Sequence, residues 1–182
     1  MELKPIFVSE NNTNPDCLYS IQYDQTNLNE YKRILNYWRD QDALLAFFSN
    51  NMHDLENGFR DNMTIDEAVT TTQEEASIFE ETLFACNNSS QYELQHIFQP
   101  LYNSEYRLSS LQKSKGKIPR SWLRIYALRL DSNCFIITGG AIKLTLNMRP
   151  AHLQVELRKL ERAKRFLQSN DIYYTEDLNT IL

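Results

Sequence analysis

The sequence predicts an α+β protein in which a small antiparallel sheet of about four strands packs against several helices. Three observations carry that prediction. Apolar residues recur at three- and four-residue spacing through most of residues 27–86, as expected of helices with one buried face. From Trp122 to Thr145 the pattern changes to β-forming residues around a single polar turn. The change of pattern near residue 100 also coincides with a change of charge. Residues 1–100 hold 5 Lys+Arg and 17 Asp+Glu, a net of −12, whereas residues 101–182 hold 14 and 7, a net of +7. A chain of 182 residues suits one domain, with an acidic helical half (1–100) and a basic sheet-plus-helix half (101–182).

Taken in order, Leu18 to Tyr23 is rich in β-formers and follows Asn/Pro punctuation at 11–16, so it reads as a strand. Leu28, Tyr31, Ile34, Leu35 and Trp38 mark a helix from Asn27 to about Arg39. Leu44, Leu45, Phe47 and Phe48 mark a second, ending near Asn50-Asn51. Thr64 and Glu67 form a capping box that opens a longer helix, running to about Cys86 with Ala68, Ala76, Phe79, Leu83 and Phe84 inward. Residues 87–90 (Asn-Asn-Ser-Ser) stop it. A shorter apolar segment from Tyr92 to Phe98 ends at Pro100.

Beyond Pro100, Tyr106–Leu111 is predicted as a strand, followed by a basic connection over 112–120. Trp122–Leu130 and Asn133–Thr145 are predicted to form a hairpin across Asp131-Ser132-Asn133. Pro150 then sits in the first turn of a helix, His152 to about Gln168. Its Leu153, Leu157, Leu160, Ala163, Phe166 and Leu167 share one side, and Arg158, Lys159, Arg162, Lys164 and Arg165 the other. Ser169-Asn170-Asp171 ends that helix, and Thr175-Glu176-Asp177 caps a last short turn.

Cys17, Cys86 and Cys134 are far apart, no CxxC occurs, and His53, His96 and His152 are scattered. A disulfide framework or a zinc site is therefore not expected, and a reducing cytosol fits best. The start of the chain lacks the basic and apolar runs of a signal peptide, and no stretch approaches the ~18 apolar residues of a membrane span. The expected location is cytoplasmic, with no membrane partner. No GxGxxG, Walker, GxSxG or HExxH pattern occurs, so neither a cofactor nor a metal is expected.

The candidate chemistry lies in the basic half. Alternation puts Leu123, Ile125 and Ala127 on one strand face and Trp122, Arg124 and Tyr126 on the other. Two aromatics beside a guanidinium suit stacking on bases and holding phosphate. The competing reading makes Trp122 and Tyr126 core and pairs Arg124 with an N-terminal carboxylate. Lys113, Lys115, Lys117 and Arg120 put four cations within eight residues, enough to neutralise several phosphates or merely to keep a loop soluble. The pair Gly139-Gly140 implies a bulge or a close backbone approach, which could aim Lys143 toward Arg124. His152, near a helix start, could act as an acid or base.

Leu123-Arg124-Ile125-Tyr126 on a strand, a turn, and a β-run ending Gly139-Gly140-Ala141-Ile142-Lys143-Leu144-Thr145 resemble the RelE/ParE superfamily of toxin–antitoxin toxins, especially its HigB-like branch. Tyr19 to Tyr23 followed by helix is similar to that family's first strand and helix hairpin. The resemblance covers about half the chain. It implies a RelE-like sheet backed by helices and ribosome-dependent mRNA cleavage, in which the RNA's own 2′-hydroxyl attacks. Carried over by position, Arg124 and Lys143 would stabilise phosphate charge, Tyr126 or His152 would transfer a proton, and the lysines 113, 115 and 117 with Arg120 and Trp122 would bind RNA. An antitoxin and RNA or the ribosome would be partners; a ParE-like relative would instead bind gyrase. The chain departs from the family in its length, nearly twice the usual, in its acidic half, and in having one Lys after the glycine pair. A non-catalytic protein- or nucleic-acid-binding module on the same scaffold is the alternative.

Overall fold

A computed structural model describes residues 1–8, 16–24, 27–58, 60, 62–88, 93–102 and 109–180. Six strands form one mixed sheet: β1 (Glu2–Val8), β2 (Cys17–Gln22), β3 (Phe98–Pro100), β4 (Gln112–Gly116), β5 (Leu123–Asp131) and β6 (Cys134–Ile142). Their spatial order is β1-β2-β6-β5-β4-β3. β2 runs parallel to β6, in register from Cys17 opposite Cys134 to Ser20 opposite Ile137, and every other pairing is antiparallel. The sheet is thus larger than the four antiparallel strands predicted, and it is mixed.

The added strands have physical reasons for escaping notice. β1 contains Pro5, which cannot donate to a ladder, and the strand tolerates it because it pairs only with β2, with its register breaking between Pro5 and Phe7. β4 was expected to be the basic connection. Its Lys, Ser and Gly are poor strand formers, but it is paired on both sides, by β3 and β5, and its Gln112, Ser114 and Gly116 turn inward while Lys113 and Lys115 are half-buried. Of the predicted strand Tyr106–Leu111, residues 106–108 lie outside the described residues, and Leu111 occupies a turn at φ 53°.

Helices cover both faces: α1 (Glu30–Arg39), α2 (Gln41–Asn50), α3 (Met52–Glu56), α4 (Ile65–Asn88), α5 (Leu94–Ile97) and α6 (Ala151–Ser169), before a closing 3₁₀ turn at Thr175–Thr180. Local chemistry sets their ends. The Asn29 side chain accepts from the Lys32 N–H at 2.9 Å to start α1, and Asp40 closes α1 and caps α2 through the Ala43 N–H at 3.0 Å. The predicted capping box forms, the Thr64 N–H donating to Glu67 at 2.8 Å. On one face Ile34, Trp38, Phe48 and Phe79 pack on Leu123, Ile125, Ala127 and Ile137. On the other, α6 packs Leu153, Leu160, Ala163 and Leu167 on Tyr126, Leu128 and Ile136. Phe84, expected inward, is partly exposed, with its ring centroid 5.9 Å from that of Phe7.

The glycine pair seats both helical layers. The β5–β6 register shifts opposite Tyr126 and Ala127, leaving Thr138 as the extra residue of a bulge. A Cβ on Gly139 would lie 1.8 Å from Glu156 of α6, and a Cβ on Gly140 would lie 2.9 Å from Ile34 of α1. Both helices approach β6 where it carries no side chain.

Candidate functional site

Arg124 and Tyr126 stand two residues apart on β5, on the face that α6 covers. Lys115 of β4 is directly opposite Tyr126, and Lys143 follows the end of β6, its N–H bonded to the Trp122 carbonyl at 2.8 Å. This hairpin geometry brings Lys115, Lys117, Arg124 and Lys143 to the wall of one cleft of about 240 Å³. Tyr126 lies in it with Met148, Leu101, Tyr102 and Leu146, and among the described lining residues none is acidic.

Three of these cations donate to backbone carbonyls. Arg124 donates to the carbonyls of Ser121 at 2.7 Å and Leu123 at 2.6 Å, Lys115 to that of Leu101 at 3.0 Å, and Lys143 to those of Leu146 at 2.8 Å and Thr145. Carbonyl dipoles orient these groups without cancelling their charge. Burial lowers the pKa of Lys143 first, and the neighbouring Arg124 and Lys115 lower it further. Lys115 is lowered in the same way by burial and then by Lys117 and Arg124. Arg124 is lowered by burial. Burial raises the Tyr126 phenol above its ordinary value, so at neutral pH it can donate a proton but not accept one. A cleft in which cations raise one another's charging cost favours any anion that enters, because the anion relieves the repulsion.

The acidic half supports the cleft from behind. Glu75 of α4 accepts from the Ser121 hydroxyl at 2.6 Å and pairs with Arg60, and the same Ser121 hydroxyl accepts from the Leu123 N–H at 2.9 Å. Arg124 makes no ion pair among the described residues, so the competing expectation of direct pairing with an N-terminal carboxylate is replaced by this indirect support through Ser121.

Other predicted residues lie elsewhere. Trp122 is 1% exposed; its indole N–H donates to Thr72 at 3.1 Å, and Arg60 stacks on it at 4.6 Å. It cannot stack on a base. β5 begins only at Leu123, after a turn with Arg120 at φ 60°, so alternation does not extend to Trp122, which joins the α2–α4 layer. Lys113 pairs with Glu161 of α6. Arg120 is exposed in that turn, outside the cleft lining. His152 Nε2 is 3.0 Å from the Ile142 carbonyl and its ring meets Phe47 edge-on at 5.3 Å, also outside the lining. Of the two proton-transfer candidates, only Tyr126 reaches the cleft.

Four lining residues are not among the candidates read from the sequence: Leu101, Met148, Tyr102 (47% exposed) and Leu146 (98% exposed). The signal for Tyr102 was an aromatic just after the break at Pro100. Leu146 was obscured because the strand was expected to run to Thr145, whereas β6 stops at Ile142.

The basic side of α6 lines a separate cleft of about 530 Å³, with Arg33 and Arg158 among its cations. There carboxylates answer much of the charge: from the acidic half, Glu30 bonds Lys159 at 2.9 Å and Asp24 bonds Arg162 at 3.1 Å, and within α6 Glu156 bonds Lys159 at 3.0 Å. Among the described residues no three His, Cys, Asp or Glu side chains gather as metal ligands, and no helix is long and apolar enough to cross a membrane. Comparison with protein-family models, curated proteins and solved structures returned no match.

Proposed function

We propose that the protein is a RelE-like toxin of a toxin–antitoxin pair that acts on RNA as an endoribonuclease. The observation that carries this reading is the cleft in which Arg124, Lys143, Lys115 and Lys117 line the wall around Tyr126. β2 followed by the α1–α2 pair, and a β5–β6 hairpin carrying Arg124 and Lys143, support the same reading.

In the proposed reaction an RNA phosphodiester enters the cleft. The adjacent 2′-oxygen attacks phosphorus and gives its proton to Lys115 in its uncharged form, which burial and the neighbouring cations make more accessible than for an ordinary lysine. The new 2′-O–P bond forms as the P–O5′ bond breaks, leaving a 2′,3′-cyclic phosphate. Tyr126, held protonated by burial, donates to the departing 5′-oxygen. Arg124 and Lys143 stabilise the charge on the five-coordinate phosphate, and Lys117 holds the flanking backbone. Because the nucleophile belongs to the RNA, no metal-activated water is needed. Tyr102, exposed at the rim, takes the base-stacking role for which Trp122 is too buried. An antitoxin would act by covering this cleft.

Induced expression tests the reading. Growth arrest and cleavage of purified RNA should both be lost in Arg124→Ala/Lys143→Ala, and full toxicity of that double variant would overturn it. A second reading, binding without cleavage, draws on the burial of Tyr126, 1% exposed with its hydroxyl 3.5 Å from the Met148 sulfur. Salt-sensitive RNA binding with intact RNA recovered after long incubation would select it.

A further inference from the structure

Two of the three cysteines lie side by side. Cys17 opens β2, Cys134 opens β6, and they are direct partners in the parallel register. Direct partners on adjacent strands stand about 4.7–4.9 Å apart. That is within the roughly 4.4–6.8 Å of Cα separation that a disulfide accepts. Both side chains point to the α6 side of the sheet and are hydrogen-bonded to each other. Cys86 lies across the sheet in the other core, its thiol donating to the Thr82 carbonyl at 3.7 Å.

We infer that Cys17 and Cys134 form a reversible intramolecular disulfide, a redox modification site separate from the cationic cleft. The oxidant is a peroxide or a small disulfide. With hydrogen peroxide, the Cys17 sulfur attacks one peroxide oxygen, the O–O bond breaks, and one water leaves as Cys17 becomes a sulfenic acid. The Cys134 sulfur then attacks the Cys17 sulfur and displaces the second water. Two thiol hydrogens and two electrons pass to the peroxide, and a dithiol reductant reverses the change. Cys17 is suited to go first, because the Cys134 thiol donates to it and holds its pKa down, while that bond and burial push Cys134 up.

Access follows from what covers the pair. Thr175 of the closing 3₁₀ turn lies against Cys134, and Asp131 ties that turn to the sheet, accepting from the Thr175 N–H at 2.9 Å and from its hydroxyl. A six-residue turn opens locally far more readily than the sheet unfolds. The bond would staple β2 to β6 at the end of the sheet opposite Arg124 and Lys143, so anion binding should not change.

The native full-length chain is treated with hydrogen peroxide, unfolded, alkylated and read by intact mass and peptide mapping. The expected product is a monomer lighter by two hydrogens, with the peptides of Cys17 and Cys134 linked, Cys86 alkylated, and both thiols restored by dithiothreitol. Cys86→Ser should form the link equally well. Asp131→Ala, which loosens the covering turn, should form it faster. The inference is overturned if Cys17 and Cys134 remain alkylatable, if the link includes Cys86 or a second chain, or if either stops at an unlinked sulfinic acid.

Discussion

At Lys143 two requirements oppose each other. Binding an anion needs the ammonium charged and close to Arg124 and Lys115, whereas the folded chain without an anion is less stable for the same reason. Lys143→Met keeps the stem and removes the charge, so it should raise or preserve the melting temperature in calorimetry. The same change should weaken binding of a single-stranded oligoribonucleotide roughly tenfold, the scale of a lost hydrogen bond to a charged group at about 1.5 kcal/mol. A fall in both would mean that Lys143 serves packing rather than anion binding. Tyr126→Phe separates chemistry from binding, because it removes one hydroxyl bonded only weakly to Met148. RNA affinity should hold within about twofold, and cleavage should fall by about 10²-fold or more, the scale of a lost proton donor. Arg124 and Tyr126 share a face because they stand two apart on one strand. The density of cations over Lys113–Arg120 pointed to a cationic segment without saying that Lys115 and Lys117 reach the cleft while Lys113 and Arg120 do not. Trp122 was misplaced because its side depends on where β5 begins, a one-residue matter set by the turn at Arg120. Tyr102 was hidden because nothing local says which aromatic remains at the surface.

Among the elements, β6 bears the strictest geometric demand. Gly139→Ala would thrust a methyl into the Glu156 carboxylate and displace that side chain from its bond with Lys159, and overpacking of this kind costs about 1–3 kcal/mol. Urea denaturation should show that loss. In a double-mutant cycle Glu156→Ala should recover part of it, since the obstructing carboxylate is then absent. Equal losses with and without Glu156 would place the cost in the backbone instead. Of the helices, α3, five residues long, carries too short a pattern to read. α1, α4 and α6 were legible because each buries one stripe, and the capping box at Thr64 marks where α4 begins. β1 and β4 were not, because partners distant in sequence hold their strand form against Pro5 and against the Lys-Ser-Lys-Gly composition. The parallel β2–β6 pairing was hidden for a related reason: it joins segments separated by α1 through β5, and no local pattern records such a crossing.

Over the whole molecule, the acidic and basic halves neutralise each other unevenly. Glu30 and Asp24 answer Lys159 and Arg162 on α6, and Glu75 works behind Ser121, while the described residues that line the cleft include no acid. The imbalance has a definite pH sign. Lys115 and Lys143 have folded pKa values below the ordinary 10.5, so the unfolded chain holds more protons in the intervening window. Their contribution to stability is therefore present above 10.5 and lost as pH falls through the lowered folded values. Glu156, raised by burial, acts oppositely and at lower pH: its contribution is present below 4.5 and lost as pH rises through the raised value. Just below pH 10.5 the two lysines favour stability as pH rises, while Cys86 and Cys134, raised by burial, oppose it from 9.0 upward. Lys143→Met should therefore flatten the rise in stability that the lysines contribute, and oligoribonucleotide affinity should fall as they lose charge. Salt should act in the same pair of directions, screening the cluster while weakening the complex. For four cations meeting a single strand at about 0.7 per neutralised phosphate, the logarithm of the association constant should fall against log salt with a slope near −3. Lys143→Met should reduce the steepness by about 0.7, whereas Arg162→Ala, on the neutralised α6 side, should leave it unchanged. A slope that follows Arg162 instead would move the binding surface from the hairpin cleft to the helix.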